Sequence, residues 1–366
     1  MDKSFNLEQY LTDGVENIVK SAIKAMPGSP RESLFLARYA LCANKAAKLR
    51  KNAAQNDEHI PSFLIASITA QCNLHCAGCY ARANHTCSDD AQSAGLTAAQ
   101  WGRIFHEAEE LGISFILLAG GEPLMRRDVV YAAAKHPDII FPIFTNGTML
   151  QGDYLRIFDK NRNLVPILSI EGGEEMTDKR RGKGMYHRLL AVMDALDNRG
   201  ILYGVSITVT KENLVDVTSD VLLSELNNRG CKVVIYVEYV PVDASTKALA
   251  PSDEERQYLD ERLAKLRGGD DGMIFISFPG DEKASGGCLA AGRGFFHINT
   301  NGGAEPCPFS PYSDSNLKEK SLKEALHSPL FTRLANEELL TKKHDGGCVL
   351  FEQESAVKQL CSTITI

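Results

Sequence analysis

The sequence lacks any hydrophobic run of the ~18–20 residues that a helix needs to cross a bilayer, which excludes a membrane span. Its first residues, MDKSFNLEQYLTDG, lack the apolar core of a signal peptide, so we expect a cytoplasmic location. It also lacks an excess of positive charge, since 40 Lys and Arg stand against 47 Asp and Glu for a net charge of −7. A general nucleic-acid binder usually carries the opposite sign, so nucleic acid is not an expected partner.

The composition that remains is that of a soluble globular enzyme, with 44% hydrophobic and 24% charged residues. A length of 366 residues exceeds the usual ~100–200 residues of one domain, which predicts one large domain with an appendage. The sequence contains ten cysteines. Because a reducing cytosol disfavours disulfides, these cysteines indicate metal binding or redox chemistry.

The first part of the chain, residues 1–60, is predicted to be helical. Apolar residues between positions 7 and 26 recur near helical spacing and form one amphipathic face. Ser29 then offers an N-cap, Pro30 a first-turn proline and Glu32 the reciprocal capping carboxylate. We therefore predict a second helix that begins at this point.

After about residue 62, short apolar runs alternate with stretches that read as helices. The six runs are 63–68, 113–118, 139–144, 164–170, 202–209 and 233–239. Buried strands that alternate with helices predict an α/β fold, with a parallel sheet or a partial barrel. In such folds the chemistry lies at the carboxyl ends of the strands.

A capped helix opens at Ser252, with Glu255 in the capping position, and ends in the Gly- and Asp-rich stretch 267–272. This stretch is the candidate domain boundary. We predict a central domain over 61–270 and a smaller α+β domain over 271–366, which carries four cysteines.

The strongest motif is a CxxxCxxC segment, Cys72, Cys76 and Cys79, directly after the first predicted strand. Thiolates favour iron–sulfur clusters, zinc or cuprous copper. A structural zinc site normally takes four protein ligands, so three neighbouring cysteines indicate one open coordination position. The residues that could close it are Cys87, His75 and His85. Spacing alone therefore leaves a structural zinc loop as an alternative.

This CxxxCxxC segment, followed by the aromatic Tyr80, resembles the signature of the radical S-adenosylmethionine (SAM) superfamily. The resemblance implies a partial (β/α)6 barrel, with the three cysteines on three irons of a [4Fe–4S] cluster and SAM on the fourth. It places Tyr80 among the cofactor-binding residues. It also implies that an external reductant of the flavodoxin or ferredoxin type supplies one electron. SAM is then cleaved to a 5′-deoxyadenosyl radical, which abstracts hydrogen from a substrate.

A second motif, Gly120-Gly121-Glu122-Pro123, ends the second predicted strand. Two glycines let the backbone approach a ligand closely, and Glu122 adds a charge at the strand end. Alone, these residues could be an ordinary turn. After a CxxxCxxC strand, Gly120, Gly121, Glu122 and Pro123 are similar to the family's site for the SAM amino group.

Weaker similarity continues at the end of the fourth predicted strand. In the family, polar residues of this strand reach the ribose or carboxylate of SAM, which implies this role for Ser169 and Glu171. The familiar residue at the second position is Asp rather than Glu. Arg181 follows in an Arg-Gly segment and could bind the SAM carboxylate through two nitrogens. The alternative for Arg181 is an ordinary surface arginine.

The C-terminal cysteines surround a strong hairpin signal, Asn301-Gly302, which would bring Cys288 and Cys307 together. The segment resembles the SPASM/twitch extension of radical SAM proteins, which binds auxiliary [4Fe–4S] clusters. A full SPASM domain has more cysteines, so one auxiliary cluster is expected. Its expected ligands are Cys288, Cys307, Cys348 and Cys361. If Cys361 is not a ligand, that iron could be open to substrate; buried structural thiols are the alternative for the whole group.

The resemblance covers roughly residues 62–366 and predicts a radical SAM oxidoreductase or modifying enzyme. Peptide or protein modification is the leading hypothesis, because it is common in this architecture. A small metabolite, such as a sugar, nucleotide or tetrapyrrole, is the close alternative. A non-catalytic electron-transfer protein would need the cysteines but not Gly120 to Pro123.

Overall fold

The computed structural model describes residues 29–89, 95–242, 244–269, 272–341 and 348–364. The helix expected before residue 29 lies outside these ranges, as do Asp270 and Asp271 of the expected boundary. Residues 344–347, which precede Cys348 in its glycine–cysteine motif, also lie outside them. The described chain forms an α/β fold around one nine-stranded sheet.

The strands follow the chain in order. They are β1 (Phe63–Thr69), β2 (Phe115–Gly120), β3 (Phe141–Thr145), β4 (Leu164–Ile170), β5 (Gly204–Val209), β6 (Val233–Glu238), β7 (Ile274–Phe278), β8 (His297–Ile298) and β9 (Ala304–Glu305). The six predicted strands correspond to β1–β6, although β2, β3 and β5 begin two residues later than their apolar runs.

Helices connect these strands. Those in the amino-terminal half are α1 (Pro30–Ala54), α2 (Tyr80–Ala83), α3 (Ala98–Leu111), α4 (Arg127–Ala133), α5 (Asp153–Lys160), α6 (Glu174–Arg181) and α7 (Met185–Asp197). The later ones are α8 (Leu214–Val217), α9 (Asp220–Asn228), α10 (Asp253–Arg267), α11 (Leu322–Leu326), α12 (Pro329–Asn336), α13 (Val349–Glu352) and α14 (Glu354–Ile364). Among the described residues, no helix is both long and apolar enough to span a membrane.

The sheet order is β7-β6-β5-β4-β3-β2-β1-β8-β9. All neighbours from β7 to β8 run parallel, and only the last pair, β8 and β9, is antiparallel. The predicted α/β class with a parallel sheet is therefore confirmed. The boundary predicted near residue 270 falls between β6 and β7, two paired strands of this sheet, so the domain division stays a prediction.

Helix α1 packs across the sheet face opposite the core formed with α3 and α7. Leu36, Tyr39 and Ala43 contact apolar residues near the amino ends of several strands, including Val165 and Val233. This contact covers the amino ends of the strands, so residues other than those of α1 surround their carboxyl ends.

The capping prediction for α1 is wrong in its contacts, although the helix does begin at Pro30. The Ser29 side chain makes no cap hydrogen bond and donates instead to the Gly200 carbonyl at 3.0 Å. Glu32 is buried and pairs with Arg162 at 2.9 Å. The two capping side chains therefore anchor α1 to the α/β core, which local spacing does not reveal. By contrast, Ser252 and Glu255 form the capping box predicted for α10.

The predicted hairpin exists as β8 and β9, in which His297 pairs with Glu305. Its connection is longer than the two residues expected from Asn301-Gly302, because Asn299 folds the turn around its own side chain. The Asn299 Oδ1 atom accepts hydrogen bonds from the backbone nitrogens of Asn301 and Gly303 at 3.0 and 2.9 Å.

Candidate active site

The cysteine loop leaves β1 at the carboxyl edge of the sheet, where the pairing of β1 with β2 shifts between Ser67 and Thr69. Such an irregularity re-aims the chain at a strand end. The loop then pairs with the GGEP motif, since Gly121 N donates to the Thr69 carbonyl at 2.8 Å and Glu122 N to the Gln71 carbonyl at 2.7 Å. The two motifs of the sequence are therefore joined backbone to backbone.

This pairing explains the two glycines. A Cβ on Gly120 would lie 2.3 Å from the Thr69 oxygen, and a Cβ on Gly121 would lie 2.0 Å from the Gln71 oxygen. Gly120 also has a φ of +122°, which side chains rarely adopt. The close approach expected of these glycines is thus made to the chain's own cysteine loop.

Glu122 is 1% exposed and its carboxylate points inward. It accepts hydrogen bonds from Thr145 Oγ1 at 2.7 Å, Asn146 N at 2.8 Å and Leu124 N at 3.1 Å. Burial raises the pKa of Glu122 to about 7, against the effect of these donors. In this arrangement Glu122 ties the end of β2 to the end of β3.

The cysteine loop is held at several further points. Asn73 donates to Thr148 Oγ1 at 2.8 Å and accepts from Asn146 Nδ2 at 2.9 Å. Arg82 donates to the Leu74 carbonyl at 2.9 Å. Arg180 binds the loop from α6, because its carbonyl accepts from Ala77 N at 2.9 Å and its Nε donates to the Ala77 carbonyl at 3.0 Å.

The three loop thiols are partly buried. Burial raises the pKa of Cys76, and the nearby Arg181 and Arg180 charges lower it. Cys72 and Cys79 lie close enough to act on Cys76 as charges. Cys87 is hydrogen-bonded to Cys72, and this contact lowers the pKa of Cys72 and raises that of Cys87. The loop therefore groups its thiols beside two arginines.

Neither His75 nor His85, the two histidines that the sequence allowed as a further ligand, lies with the three thiols. His75 is exposed, and its Nε2 atom lies 2.8 Å from the Asp89 carboxylate. His85 is also exposed, with a φ of +56°. Cys87 is the candidate nearest to the three thiols, since it is buried against Cys72.

Glu171, at the end of β4, is 2% exposed and sits between two arginines. Arg181 reaches its Oε1 atom from Nε at 2.9 Å, and Arg180 reaches it from Nη1 at 2.8 Å. The Nη1 atom of Arg181 lies 4.0 Å from Cys76 Sγ. Ser169 of β4 is half-buried. It pairs with Ser206 of β5 and precedes Glu171 by two residues. Glu171 therefore aims Arg181 at the cysteine loop.

Tyr80 lies at the junction of the two cysteine-bearing regions. It begins α2, and its ring centroid is 5.1 Å from that of Phe309. Burial raises the pKa of Tyr80 far above its ordinary value, and the charges of Cys79 and Cys307 add to this effect. One side chain thus lies near a thiol of each group.

A series of buried polar side chains, joined by hydrogen bonds, lies next to Tyr80. His297 contacts Ser67 Oγ at 2.8 Å through Nε2 and Glu305 Oε2 at 2.7 Å through Nδ1. Asn299 Nδ2 donates to the other Glu305 oxygen at 2.5 Å. A narrow cavity is lined by His297, Ser67, Tyr80 and Gly120. Sequence reasoning missed these residues, because a two-residue turn at Asn301-Gly302 would place Ile298, and not His297, opposite Glu305.

The C-terminal thiols form a second group. Burial raises the pKa of Cys288 and Cys307 well above the ordinary value and that of Cys348 to about 12. Cys307 and Cys348 lie close enough to Cys288 to act on it as charges, and so does Glu282. Cys361 lies on α14, with its sulfur 3.8 Å from the Ser313 carbonyl oxygen.

Within the described ranges, no three His, Cys, Asp or Glu side chains converge on a point suited to one metal ion. A cubane cluster differs from a single ion because each thiolate binds a different iron. Three thiols at mutual electrostatic range, with soft sulfur donors and no competing hard ligand on the loop, fit such a cluster at Cys72, Cys76 and Cys79. Cys42 lies on α1, and Cys231 is buried in the core.

Residues 66–221 match the family model described as the radical SAM superfamily. The AdoMet-dependent heme synthase of Methanosarcina barkeri is 28% identical over 310 residues, covering 77% of this chain and 87% of that protein. The cysteine-type anaerobic sulfatase-maturating enzyme of Clostridium novyi is 24% identical over 327 residues, covering 78% and 84%.

Crystal structures of Streptococcus suis SuiB share this fold. The structure bound to S-adenosylmethionine has a TM-score of 0.67 at 19% identity and covers 87% of this chain and 81% of SuiB. The structure bound to precursor peptide SuiA has a TM-score of 0.66 at 19% identity and covers 92% and 82%. The matched family implies a [4Fe–4S] cluster and SAM. Residues 66–221 of this chain therefore form a radical SAM domain, and the similarity to relatives named as synthases and maturating enzymes shows that the chain is an enzyme.

Proposed function

We propose that this enzyme cleaves SAM reductively at Cys72, Cys76 and Cys79 and modifies a peptide or protein by hydrogen abstraction. We also propose that the C-terminal cysteines hold one auxiliary cluster. The observation that carries the proposal is that Tyr80 lies near a thiol of each group, Cys79 and Cys307, with its ring against Phe309. A substrate near Tyr80 would lie near both proposed clusters.

In this proposal the chain's own residues hold and orient the first centre. The three thiolates bind iron, while Asn73 and Arg180 fix the loop against the ends of β3 and α6. When bound, the cluster and SAM supply a radical able to abstract hydrogen from an unactivated C–H bond.

Arg181 is the proposed contact for the SAM carboxylate. Its Nε atom is used by Glu171, so the Nη1 atom near Cys76 is the nitrogen placed to meet that carboxylate. Glu171 then acts through Arg181 rather than on SAM. Gly120 to Pro123 would contribute the backbone of their turn, because the Glu122 carboxylate is already held by Thr145 and Asn146.

His297 is the proposed proton acceptor for a substrate between the clusters. Its imidazole lines the cavity of about 20 Å³ beside Tyr80, and Glu305 at Nδ1 would orient the ring. An oxidation that removes a hydrogen atom and then an electron also releases a proton, so a buried base at this position fits that reaction. An external flavodoxin- or ferredoxin-type protein would supply the initiating electron.

The peptide assignment is supported by relatives whose names describe peptide or protein modification, including the sulfatase-maturating enzyme. SuiB, of the same fold, is seen with a precursor peptide. A tetrapyrrole is the second candidate substrate, because the heme synthase of M. barkeri is similar over 310 residues. Both candidates use the same SAM chemistry and differ only in what occupies the cavity region.

The first experiment tests SAM cleavage. The protein is reconstituted anaerobically with iron and sulfide and then incubated with SAM and dithionite. We expect release of 5′-deoxyadenosine and about eight irons per chain for two cubane clusters. If fully reconstituted protein released no 5′-deoxyadenosine, the electron-transfer alternative would replace the enzyme mechanism. An iron content near four would remove the auxiliary cluster.

The second experiment separates the candidate substrates. Fully deuterated peptide mixtures and deuterated iron-coproporphyrin III are each added to the reaction, and deuterium in 5′-deoxyadenosine is measured by mass spectrometry. Transfer from the peptides alone supports peptide modification. Transfer from the porphyrin alone overturns it in favour of the tetrapyrrole.

A further inference from the structure

A carboxylate lies among the C-terminal thiols. Glu282 belongs to the short 3-10 helix Gly280–Ser285 that follows β7, and it is 8% exposed. Its side chain is hydrogen-bonded to Cys288. It also lies close enough to Cys307 and Cys348 to act on both as a charge. Four potential anions, three thiols and one carboxylate, therefore share this buried region.

The backbone holds this carboxylate in place beside the thiols. Glu282 N donates to the Pro279 carbonyl at 2.8 Å, and the Glu282 carbonyl accepts from Gly287 N at 3.2 Å. Cys288 N donates to the Leu340 carbonyl at 2.8 Å. The segment from Glu282 to Cys288 is thus a closed turn, which fixes the carboxylate near the first thiol of the group.

Cys361 is the ligand that the sequence suggests for the fourth iron, and it occupies a different environment. It lies on α14, with its sulfur 3.8 Å from the Ser313 carbonyl oxygen. Burial and the charge of Asp314 raise its pKa. Each of the other three thiols instead has Glu282 among its neighbouring charges.

An iron–sulfur cluster would neutralise the negative charges of these groups. Three thiolates and a carboxylate in a dry interior repel one another, and Arg293 is a cation close enough to act on both Glu282 and Cys288. The irons of a cubane supply positive charge at the point where these groups meet, and carboxylate oxygen is an accepted ligand for iron. Four protein donors then match four irons.

We propose that Glu282 is the fourth ligand of the auxiliary cluster, with Cys288, Cys307 and Cys348, in place of Cys361. The proposal rests on the auxiliary cluster of the proposed function. It assigns an oxygen ligand to one iron and thiolates to the other three. An iron with an oxygen ligand differs electronically from its three neighbours, so the assignment has a spectroscopic signature that does not depend on catalysis.

The test uses full-length protein in which Cys72, Cys76 and Cys79 are all replaced by Ala, so that only the auxiliary cluster binds. The protein is reconstituted with iron-57, and Mössbauer spectra are recorded. We expect about four irons per chain, one of which has a higher isomer shift than the rest. Glu282→Cys should make the four irons alike, and Cys361→Ala should leave the spectrum and the iron content unchanged.

Two results would overturn the proposal. Four equivalent irons in the parent, with loss of iron in Cys361→Ala, would establish all-cysteine ligation and reduce Glu282 to a hydrogen-bond partner of Cys288. A distinct iron that persists in Glu282→Cys would mean that solvent or substrate occupies the fourth position. If the parent bound no iron, the auxiliary cluster itself would fail, whereas SAM cleavage by wild-type protein tests the first site separately.

Discussion

The two thiol groups differ in part in their access to solvent. Cys72, Cys76 and Cys79, on a loop at the edge of the sheet, are partly exposed, as is Cys348, whereas Cys288 and Cys307 are only 7% and 2% exposed. A centre that exchanges a cofactor in each turnover must be reachable, and a permanent electron carrier need not be. The difference fits the proposed roles, in which the loop exchanges SAM and the C-terminal group holds a permanent cluster.

Each thiol group also has a buried glutamate nearby whose pKa is raised by burial to about 7, Glu122 at the loop and Glu282 at the C-terminal group. Their partners differ. Glu122 is held by backbone nitrogens and a threonine hydroxyl, so its carboxylate serves the loop's scaffold. Glu282 contacts a thiol. A buried glutamate thus stabilises the scaffold of the first site, whereas in the second site a buried glutamate contacts a thiol.

The largest expected effect is that of Cys76→Ala. It should abolish release of 5′-deoxyadenosine, because the first cluster loses one of its three protein ligands. The iron content should fall to about four per chain, since the auxiliary cluster is separate. Chromatography of the reaction and iron analysis provide the measurement. Cys42→Ala, on α1 and away from both groups, is the matched control. Retained cleavage in Cys76→Ala would contradict the assignment of the loop.

His297→Gln should separate radical formation from product formation. We expect substrate turnover to fall by about 100-fold, because the amide cannot accept the proton that the imidazole accepts. Release of 5′-deoxyadenosine without substrate should stay within about twofold of wild type, as His297 lies outside the cysteine loop. The exposed His327, replaced by Gln, is the control. An equal loss in both assays would assign His297 to the fold instead.

Glu122 should make the stability of the iron-free protein depend on pH. Its pKa is raised from 4.5 to about 7 in the fold, so the folded state holds the proton more tightly than the unfolded chain does. This contribution is complete below pH 4.5 and is lost as pH rises through about 7, which lowers the free energy of unfolding by up to about 3 kcal/mol. Urea titrations between pH 5 and 8 should show a decline that is smaller in Glu122→Gln than in wild type by up to about 3 kcal/mol, because Glu32 and Glu282, whose pKa values are also raised to about 7, remain in both proteins. Parallel pH profiles would contradict it.

Gly121→Ala tests the backbone pairing between the cysteine loop and the motif of residues 120–123. The new Cβ would meet the Gln71 oxygen, so the cysteine loop must shift, at a cost of about 1–3 kcal/mol. The first cluster should bind less iron while the auxiliary cluster is retained, which iron analysis and urea unfolding measure. Gly173→Ala is the control, because nothing lies within 4 Å of its added Cβ. Equal iron content and equal stability of the two variants would contradict this backbone pairing.

The strands could be predicted because each one is a short buried apolar run, and the six predicted runs became β1 to β6. Contacts between distant segments could not be predicted. Ser29 and Glu32 have the spacing of a capping box, yet tertiary partners at Gly200 and Arg162 take both side chains. Local propensity was overridden by packing in this case.

The cysteine motifs were readable from spacing alone, because their residues are close in sequence. The groups around them were not. Glu282 has no motif and meets the thiols only because the turn after β7 folds against Cys288. His297 pairs with Glu305 only because the connection between β8 and β9 is longer than the two-residue turn that the sequence predicts. Ser67 lies on β1, and only the sheet order brings it to His297.

The central claim is that three loop thiolates leave one iron open for SAM. Electron paramagnetic resonance of the dithionite-reduced protein, recorded before and after SAM is added, tests it most directly. The auxiliary signal is first removed with a variant in which Cys288 and Cys307 are replaced by Ala. We predict that SAM changes the spectrum of the remaining cluster. An identical spectrum with saturating SAM would contradict the claim.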